Sequence, residues 1–208
     1  MAFVSPKLYA ITDVSIAGLS HLEQLKRLIE GGATLIQLRE KTVAPGEWFE
    51  DALACAEYAR KHGVMLIVND RLDIAMAIGA NGVHLGQDDM PVGAARELLG
   101  RDAVIGLSTH TLEQLEAAAR LPIDYIGFGP IFPTATKSNP DEVVGLELLN
   151  EARRIAPDLP IVAIGGITLD NFQGVLDAGA TSVAIIRDLL SDAKAISHKV
   201  RTFDYECC

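Results

Sequence analysis

The sequence predicts an α/β fold, a single (β/α)8 barrel over residues 1–208. Three observations lead there. Eight short β-rich runs alternate with helix-period stretches from end to end, the pattern that joins parallel strands through helical crossovers. The 208 residues divide into eight units averaging 26, with no linker or low-complexity break. The first strand is followed by Thr12-Asp13-Val14-Ser15 and not by a G-x-G-x-x-G turn, which argues against the rival open doubly wound sheet.

In chain order, the strands are predicted over Leu8 to Asp13, Thr34 to Arg39, Met65 to Asn69, Gly82 to Leu85, Val104 to Ser108, Tyr125 to Gly129, Ile161 to Gly165 and Ser182 to Ile186. Between the first two, Ser20 followed three residues later by Glu23 reads as a capping box that satisfies the orphan amides of a helix start. In the next helix Phe49, Ala52, Leu53, Ala56 and Ala59 form a stripe at i, i+3, i+4, i+7 spacing. Glu47, Glu50, Asp51, Glu57 and Arg60 fall outside that stripe, so the helix packs on a sheet. Thr111 with Gln114 caps a later helix in the same way as Ser20. Gly32-Ala33, Gly79-Ala80 and Gly179-Ala180 each precede a strand, as expected where Gly closes a helix in the left-handed conformation.

Composition narrows the function. With 49% hydrophobic and 22% charged residues the chain can bury a sizeable core, which excludes disorder and collagen. A formal charge of -10, from 18 Lys plus Arg against 28 Asp plus Glu, weighs against nucleic acid or an anionic membrane as partner and points to small molecules. A homo-oligomer is compatible with the same composition. Met1 to Tyr9 lacks a basic segment leading into an apolar run, and no window of about 20 apolar residues occurs, so a cytoplasmic protein is expected. Cys55 lies in a helical pattern while Cys207 and Cys208 end the chain, a spacing for neither a disulfide scaffold nor a zinc site. A frayed tail is expected there in preference to a lipidation signal.

In a barrel the chemistry belongs where strands end and loops begin. After the second strand, alternation places Leu35, Gln37, Arg39 and, if it continues, Lys41 on one face. A Gln and an Arg facing a barrel interior must either pair with neighbouring acids or hold an anionic ligand. The third strand ends Val68-Asn69-Asp70-Arg71 and the fourth His84-Leu85-Gly86-Gln87-Asp88-Asp89, so adjacent strand ends each offer a carboxylate. Two carboxylates with waters and phosphate oxygens suit Mg²⁺; the bland alternative has Asp70 capping a helix near Arg71 and Asp88 or Asp89 one near Pro91. His84 has no second ligand at metal spacing and reads as a satisfied barrel histidine. Ser108 and His110 share a face, but no acid follows at a telling distance and no G-x-S-x-G elbow exists, which argues against a hydrolase triad. After the sixth strand, Gly129-Pro130-Ile131-Phe132-Pro133-Thr134-Ala135-Thr136-Lys137 delivers two hydroxyls and an ammonium suited to phosphate. After the seventh, Gly165-Gly166 lets backbone N–H groups approach an anion. Three cations, Arg39, Lys41 and Lys137, on the rim of an acidic protein call for a polyphosphorylated ligand or for two phosphorylated ligands.

Together the segments Gln37-Leu38-Arg39-Glu40-Lys41, Asn69-Asp70-Arg71, His84 to Asp89, Gly129 to Lys137 and Ala163-Ile164-Gly165-Gly166-Ile167 resemble the thiamine phosphate synthase family. The likeness runs in order over nearly the whole chain. It implies a TIM barrel transferase that joins 4-amino-5-hydroxymethyl-2-methylpyrimidine diphosphate to hydroxyethylthiazole phosphate, giving thiamine phosphate and diphosphate with Mg²⁺. By position it implies that Gln37, Arg39, Lys41, Asn69 and Lys137 bind the diphosphate, with Arg39, Lys41 and Lys137 as the catalytic cations. It also implies that Asp70 and Asp89 hold the metal, Ser108 contacts the pyrimidine and Thr134 and Thr136 the thiazole half. Gly166 with Ile186 and Arg187 of the loop after the eighth strand would take the thiazole phosphate. The family's chemistry is dissociative and needs no protein nucleophile, which agrees with a rim lacking an obvious one.

One departure stands out: Ile186-Arg187-Asp188 occupies a loop where the family often carries small residues. Alternation puts Arg187 on the face of Val183 and Ile185, so it is expected to lean over the thiazole phosphate beside Gly166 or to turn out and pair with an acid such as Asp188. Competing readings are a thiazole tautomerase-like barrel, a phosphosugar isomerase or decarboxylase, and a non-catalytic phosphate-ligand-binding barrel. Lys41, Asp89 and Thr134 to Lys137 favour the synthase.

Overall fold

Apolar runs of four to six residues form the strands: β1 (Leu8–Thr12), β2 (Leu35–Leu38), β3 (Met65–Asn69), β4 (Gly82–Leu85), β5 (Val104–Thr109), β6 (Tyr125–Phe128), β7 (Ile161–Ile164) and β8 (Ser182–Ile185). The computed structural model describes residues 5–134 and 141–206. Each strand pairs in parallel with the next in sequence, and β8 pairs with β1 to close the barrel. Observed strand ends differ from the predicted ones by at most one residue.

Period-2 alternation divides each strand between two cores. In β1, Leu8 and Ala10 face the surrounding helices while Tyr9 and Ile11 point into the barrel; Leu66 and Val68 against Met65 and Ile67 in β3, and Val183 and Ile185 against Ala184 in β8, divide in the same way. The inner core is small and carries two tyrosines, Tyr9 and Tyr125, among its buried members.

The crossovers are α1 (Val14–Ala17) and α2 (His21–Gly31) after β1, α3 (Pro45–Lys61), α4 (Leu72–Ile78), α5 (Val92–Leu99), α6 (Leu112–Ala118), α7 (Gly145–Ile155) and α8 (Phe172–Asp177) after successive strands, then α9 (Arg187–Leu190) and α10 (Ile196–Glu206) after β8. Ser20 and Glu23 make the expected capping box on α2, and Thr111 accepts from Gln114 N on α6. The buried stripe of α3 is Trp48, Ala52, Cys55, Ala56 and Ala59, with Phe49 and Leu53 only partly buried. Asp51, expected on the solvated side, has a task there: its carboxylate accepts from His21 N and Leu22 N and so caps α2. None of the described helices is long and apolar enough to cross a membrane.

Candidate active site

The carboxyl ends of the strands gather the polar residues, and glycines decide which large side chains fit inside. A Cβ at Gly106 would lie 2.1 Å from the Tyr125 ring, and one at Gly127 would lie 3.0 Å from the His84 ring. Those two glycines leave room for a file of polar side chains. Gln37 Nε2 donates to Tyr9 Oη at 3.0 Å, Tyr9 Oη lies 2.9 Å from Tyr125 Oη, Tyr125 Oη 2.9 Å from His84 Nδ1, and His84 Nε2 2.8 Å from Ser108 Oγ. Burial raises both phenols well above the ordinary tyrosine range, so both stay protonated. His84 is thus the satisfied barrel histidine the sequence predicts. Ser108 pairs with it and not with His110, whose Nδ1 lies 2.7 Å from the Gly129 carbonyl oxygen.

Around this floor stands the rim. Arg39 is half-buried and bonds Asp13, which is buried and also accepts from Ser15 Oγ and Ile16 N; of the two readings open for this arginine, pairing with an acid is observed. Gln37, 3% exposed, donates from its side-chain amide to Tyr9 Oη. The following Glu40 anchors the β2–α3 loop: its Oε1 accepts from Thr42 N and Thr42 Oγ1 at 2.6 Å, and its Oε2 lies 3.3 Å from buried His21 Nε2. Burial works against this carboxylate, yet the Thr42 and His21 hydrogen bonds outweigh it and hold it below the usual range.

Lys41, next to Glu40 in that loop, bonds the Asp70 carboxylate. Asp70 has a φ of 60°, a left-handed conformation that Asp tolerates better than most residues. It does not cap: the N-cap positions of α4 and α5 are Arg71 and Pro91, and neither helix has a side-chain cap. Asp89 accepts from Gly86 N at 2.6 Å, and burial, followed by the neighbouring Asp70 carboxylate, pushes it up; Asp88 is exposed. Lys41, Asp70 and Asp89 therefore converge at the ends of β2, β3 and β4. Asn69, 8% exposed, makes no side-chain hydrogen bond among the described residues.

On the opposite side, the loop after β6 docks on the end of β7 through Ile131 N to Ile164 O and Phe132 N to Gly165 O. A Cβ at Gly166 would lie 2.6 Å from Pro133 O, so this glycine serves the docking of the loop that carries Thr134. Thr136 and Lys137 lie outside the described residues, as do Cys207 and Cys208. The alternation argument for Arg187 fails: β8 ends at Ile185, Ile186 leaves the extended conformation, and Arg187 is the exposed first residue of α9. Asp188 accepts from Leu169 N and faces Lys199, so it is not Arg187's partner.

A family model described as thiamine monophosphate synthase matches residues 8–189. The chain belongs to the thiamine monophosphate synthase family. The thiamine-phosphate synthase of Koribacter versatilis is 45% identical over 196 residues, which cover 91% of each chain. The bifunctional thiamine biosynthetic enzyme TH1 of Arabidopsis thaliana is 44% identical over 203 residues, 96% of this chain and 37% of that longer protein. The thiamine phosphate pyrophosphorylase of Pyrococcus furiosus superposes with a TM-score of 0.85 at 34% identity, covering 96% of this chain and 94% of that one. The chain's activity is that of a thiamine-phosphate synthase, a transferase of thiamine biosynthesis.

Sequence reasoning missed the Tyr9, Tyr125 and His84 file, Asp13 as the partner of Arg39, and the His21–Glu40 anchor. For the file a signal exists: polar residues at inward positions of β1, β4 and β6, with glycines at inward positions of β5 and β6.

Proposed function

We propose that the mouth of this barrel couples 4-amino-5-hydroxymethyl-2-methylpyrimidine diphosphate to hydroxyethylthiazole phosphate with Mg²⁺. The observation that carries this reading is the convergence of Lys41, Asp70 and Asp89 at three adjacent strand ends, with Arg39 beside them on β2's exit. Two acidic side chains, with no cluster of three or more His, Cys, Asp or Glu ligands among the described residues, fit a Mg²⁺ that completes its shell with water and substrate oxygens. When bound, Mg²⁺ offsets negative charge gathering on the departing diphosphate.

The residues do the rest. Lys41, Arg39 and Lys137 hold the diphosphate and neutralise it as the C–O bond to the pyrimidine methylene breaks and the electron pair leaves with it, and Asn69 adds an amide hydrogen bond. The thiazole nitrogen then gives its lone pair to that methylene, and the protein keeps the two rings aligned. By the family resemblance Ser108 takes the pyrimidine, Thr134 and Thr136 the thiazole half, and Gly166, Ile186 and Arg187 its phosphate. Gln37 supports the floor from below through Tyr9. Cytoplasmic placement belongs to this reading; "chloroplastic" describes the Arabidopsis relative.

Incubating the protein with both substrates and Mg²⁺ should yield thiamine phosphate, and EDTA should abolish it. Isomerised thiazole phosphate without coupling would favour the tautomerase, and tight binding without turnover a non-catalytic barrel. Lys137→Ala should lower kcat by roughly 10² to 10³, the loss of one preorganised charge-stabilising donor; a raised KM with unchanged kcat would limit Lys137 to ground-state binding. Arg187→Ser should raise KM roughly tenfold for the thiazole phosphate alone.

A further inference from the structure

The polar file inside the barrel has a direction. Tyr9 is 1% exposed, and among the described residues its hydroxyl meets only Gln37 Nε2 and Tyr125 Oη. An amide nitrogen donates, so the Tyr9 proton has one acceptor, the Tyr125 oxygen. Leaving a buried hydroxyl proton unbonded incurs its full desolvation penalty, which sets Tyr9 as donor and Tyr125 as acceptor in that link. A phenol that accepts becomes a better donor, and the next oxygen-to-nitrogen link, Tyr125 Oη to His84 Nδ1 at 2.9 Å, takes its proton from Tyr125. The neutral imidazole then carries its own proton on Nε2 and gives it to Ser108 Oγ at 2.8 Å. Ser108, its oxygen occupied, has its hydroxyl proton free for the mouth of the barrel. The opposite direction would strand the Tyr9 proton.

Ring packing holds the links in line: His84 stacks on Tyr125 at an interplanar angle of 21°, and Tyr9 meets Tyr125 edge-on at a centroid distance of 5.8 Å. We propose that Tyr9, Tyr125 and His84 are positioning residues that present the Ser108 hydroxyl as a donor, selecting a substrate ring whose facing nitrogen has a lone pair and no proton. The choice of ring rests on the reading above that seats the pyrimidine at Ser108.

Nitrogen-15 NMR of the histidine-labelled, ligand-free protein tests the direction without any substrate. His84, assigned by the resonances missing from His84→Gln, should show an unprotonated Nδ1 and a protonated Nε2. The reverse tautomer overturns the proposal. Tyr125→Phe removes the proton donated to Nδ1 and should relax the tautomer preference, while raising KM for the pyrimidine diphosphate about tenfold and leaving KM for the thiazole phosphate unmoved. His84→Gln, whose amide places an N–H near the position of Nε2, should recover most of the KM lost in His84→Ala; equal losses in the two overturn the proposal. A relaxed tautomer in Tyr125→Phe with only the thiazole KM raised would instead overturn the seating of the pyrimidine and leave the proton direction standing.

Discussion

Asp70 is the described non-glycine residue held at positive φ, and its carboxylate lies between Lys41 and Asp89. Asparagine tolerates the left-handed region about as well as aspartate, so Asp70→Asn removes the charge without straining the backbone. Activity should fall by roughly 10² or more in Asp70→Asn and in Asp89→Asn, with melting temperatures close to wild type. Full turnover in both variants would remove these residues from the metal site. His21 makes a prediction about pH. Burial lowers its pKa against the pull of Glu40 and then Asp51 and Asp13, so the folded protein binds this proton less tightly than the unfolded chain does. Its contribution to stability is then present above the ordinary histidine value of about 6.5 and is lost as pH falls through that value toward the lowered one. Melting temperature should therefore decline below about pH 6.5, and His21→Gln should flatten the decline; an unchanged slope would show that His21 is not the group responsible.

Among the elements, the strands were the most legible, because four to six alternating residues carry their own signal. The alternation that put Gln37 on the face of Leu35 misled at Arg187, since the rule holds only while the chain stays extended and Ile186 has already turned at φ −115° and ψ −80°. The β7–α8 connection provides an element-scale test. Gly166 has a φ of 63° and faces Pro133 O and Phe132 Cβ, so alanine there meets both left-handed strain and a docked loop. Gly166→Ala should destabilise the protein by about 1–2 kcal/mol from the backbone alone and should raise KM for the thiazole phosphate. A melting curve identical to wild type would show that the loop yields freely.

For the whole molecule, α10 ties the outer helical layer together. α10 packs on α2 at a glycine: a Cβ at Gly31 would lie 2.6 Å from Val200 Cβ and 2.8 Å from Ser197 O. Phe203 of α10 is 1% exposed and packs against Phe172 of α8 at 4.4 Å between ring centroids, so α10 joins the first crossover to the last. Phe203→Ala should lower unfolding free energy by about 3–5 kcal/mol in denaturant titrations, the usual cost of emptying a buried phenylalanine site. Its kcat in the folded state should be unchanged, because the residue touches none of the mouth.

Sequence by itself determined the eight βα units, their order, the helix caps at Ser20 and Thr111, and the set of rim motifs that marks the family. All of these follow from residues a few positions apart, whose spacing settles which face they share. Tertiary structure decided which polar groups satisfy one another. Arg39 and Asp13 are 26 positions apart, Lys41 and Asp70 29, His84 and Tyr125 41, and Tyr9 and Tyr125 116. No local pattern can pair such residues: Arg39 meets Asp13 and Lys41 meets Asp70 only once β1 pairs with β2 and β2 with β3, and the tyrosine and histidine pairs form only when β8 closes on β1 and inward side chains of non-neighbouring strands meet across the barrel.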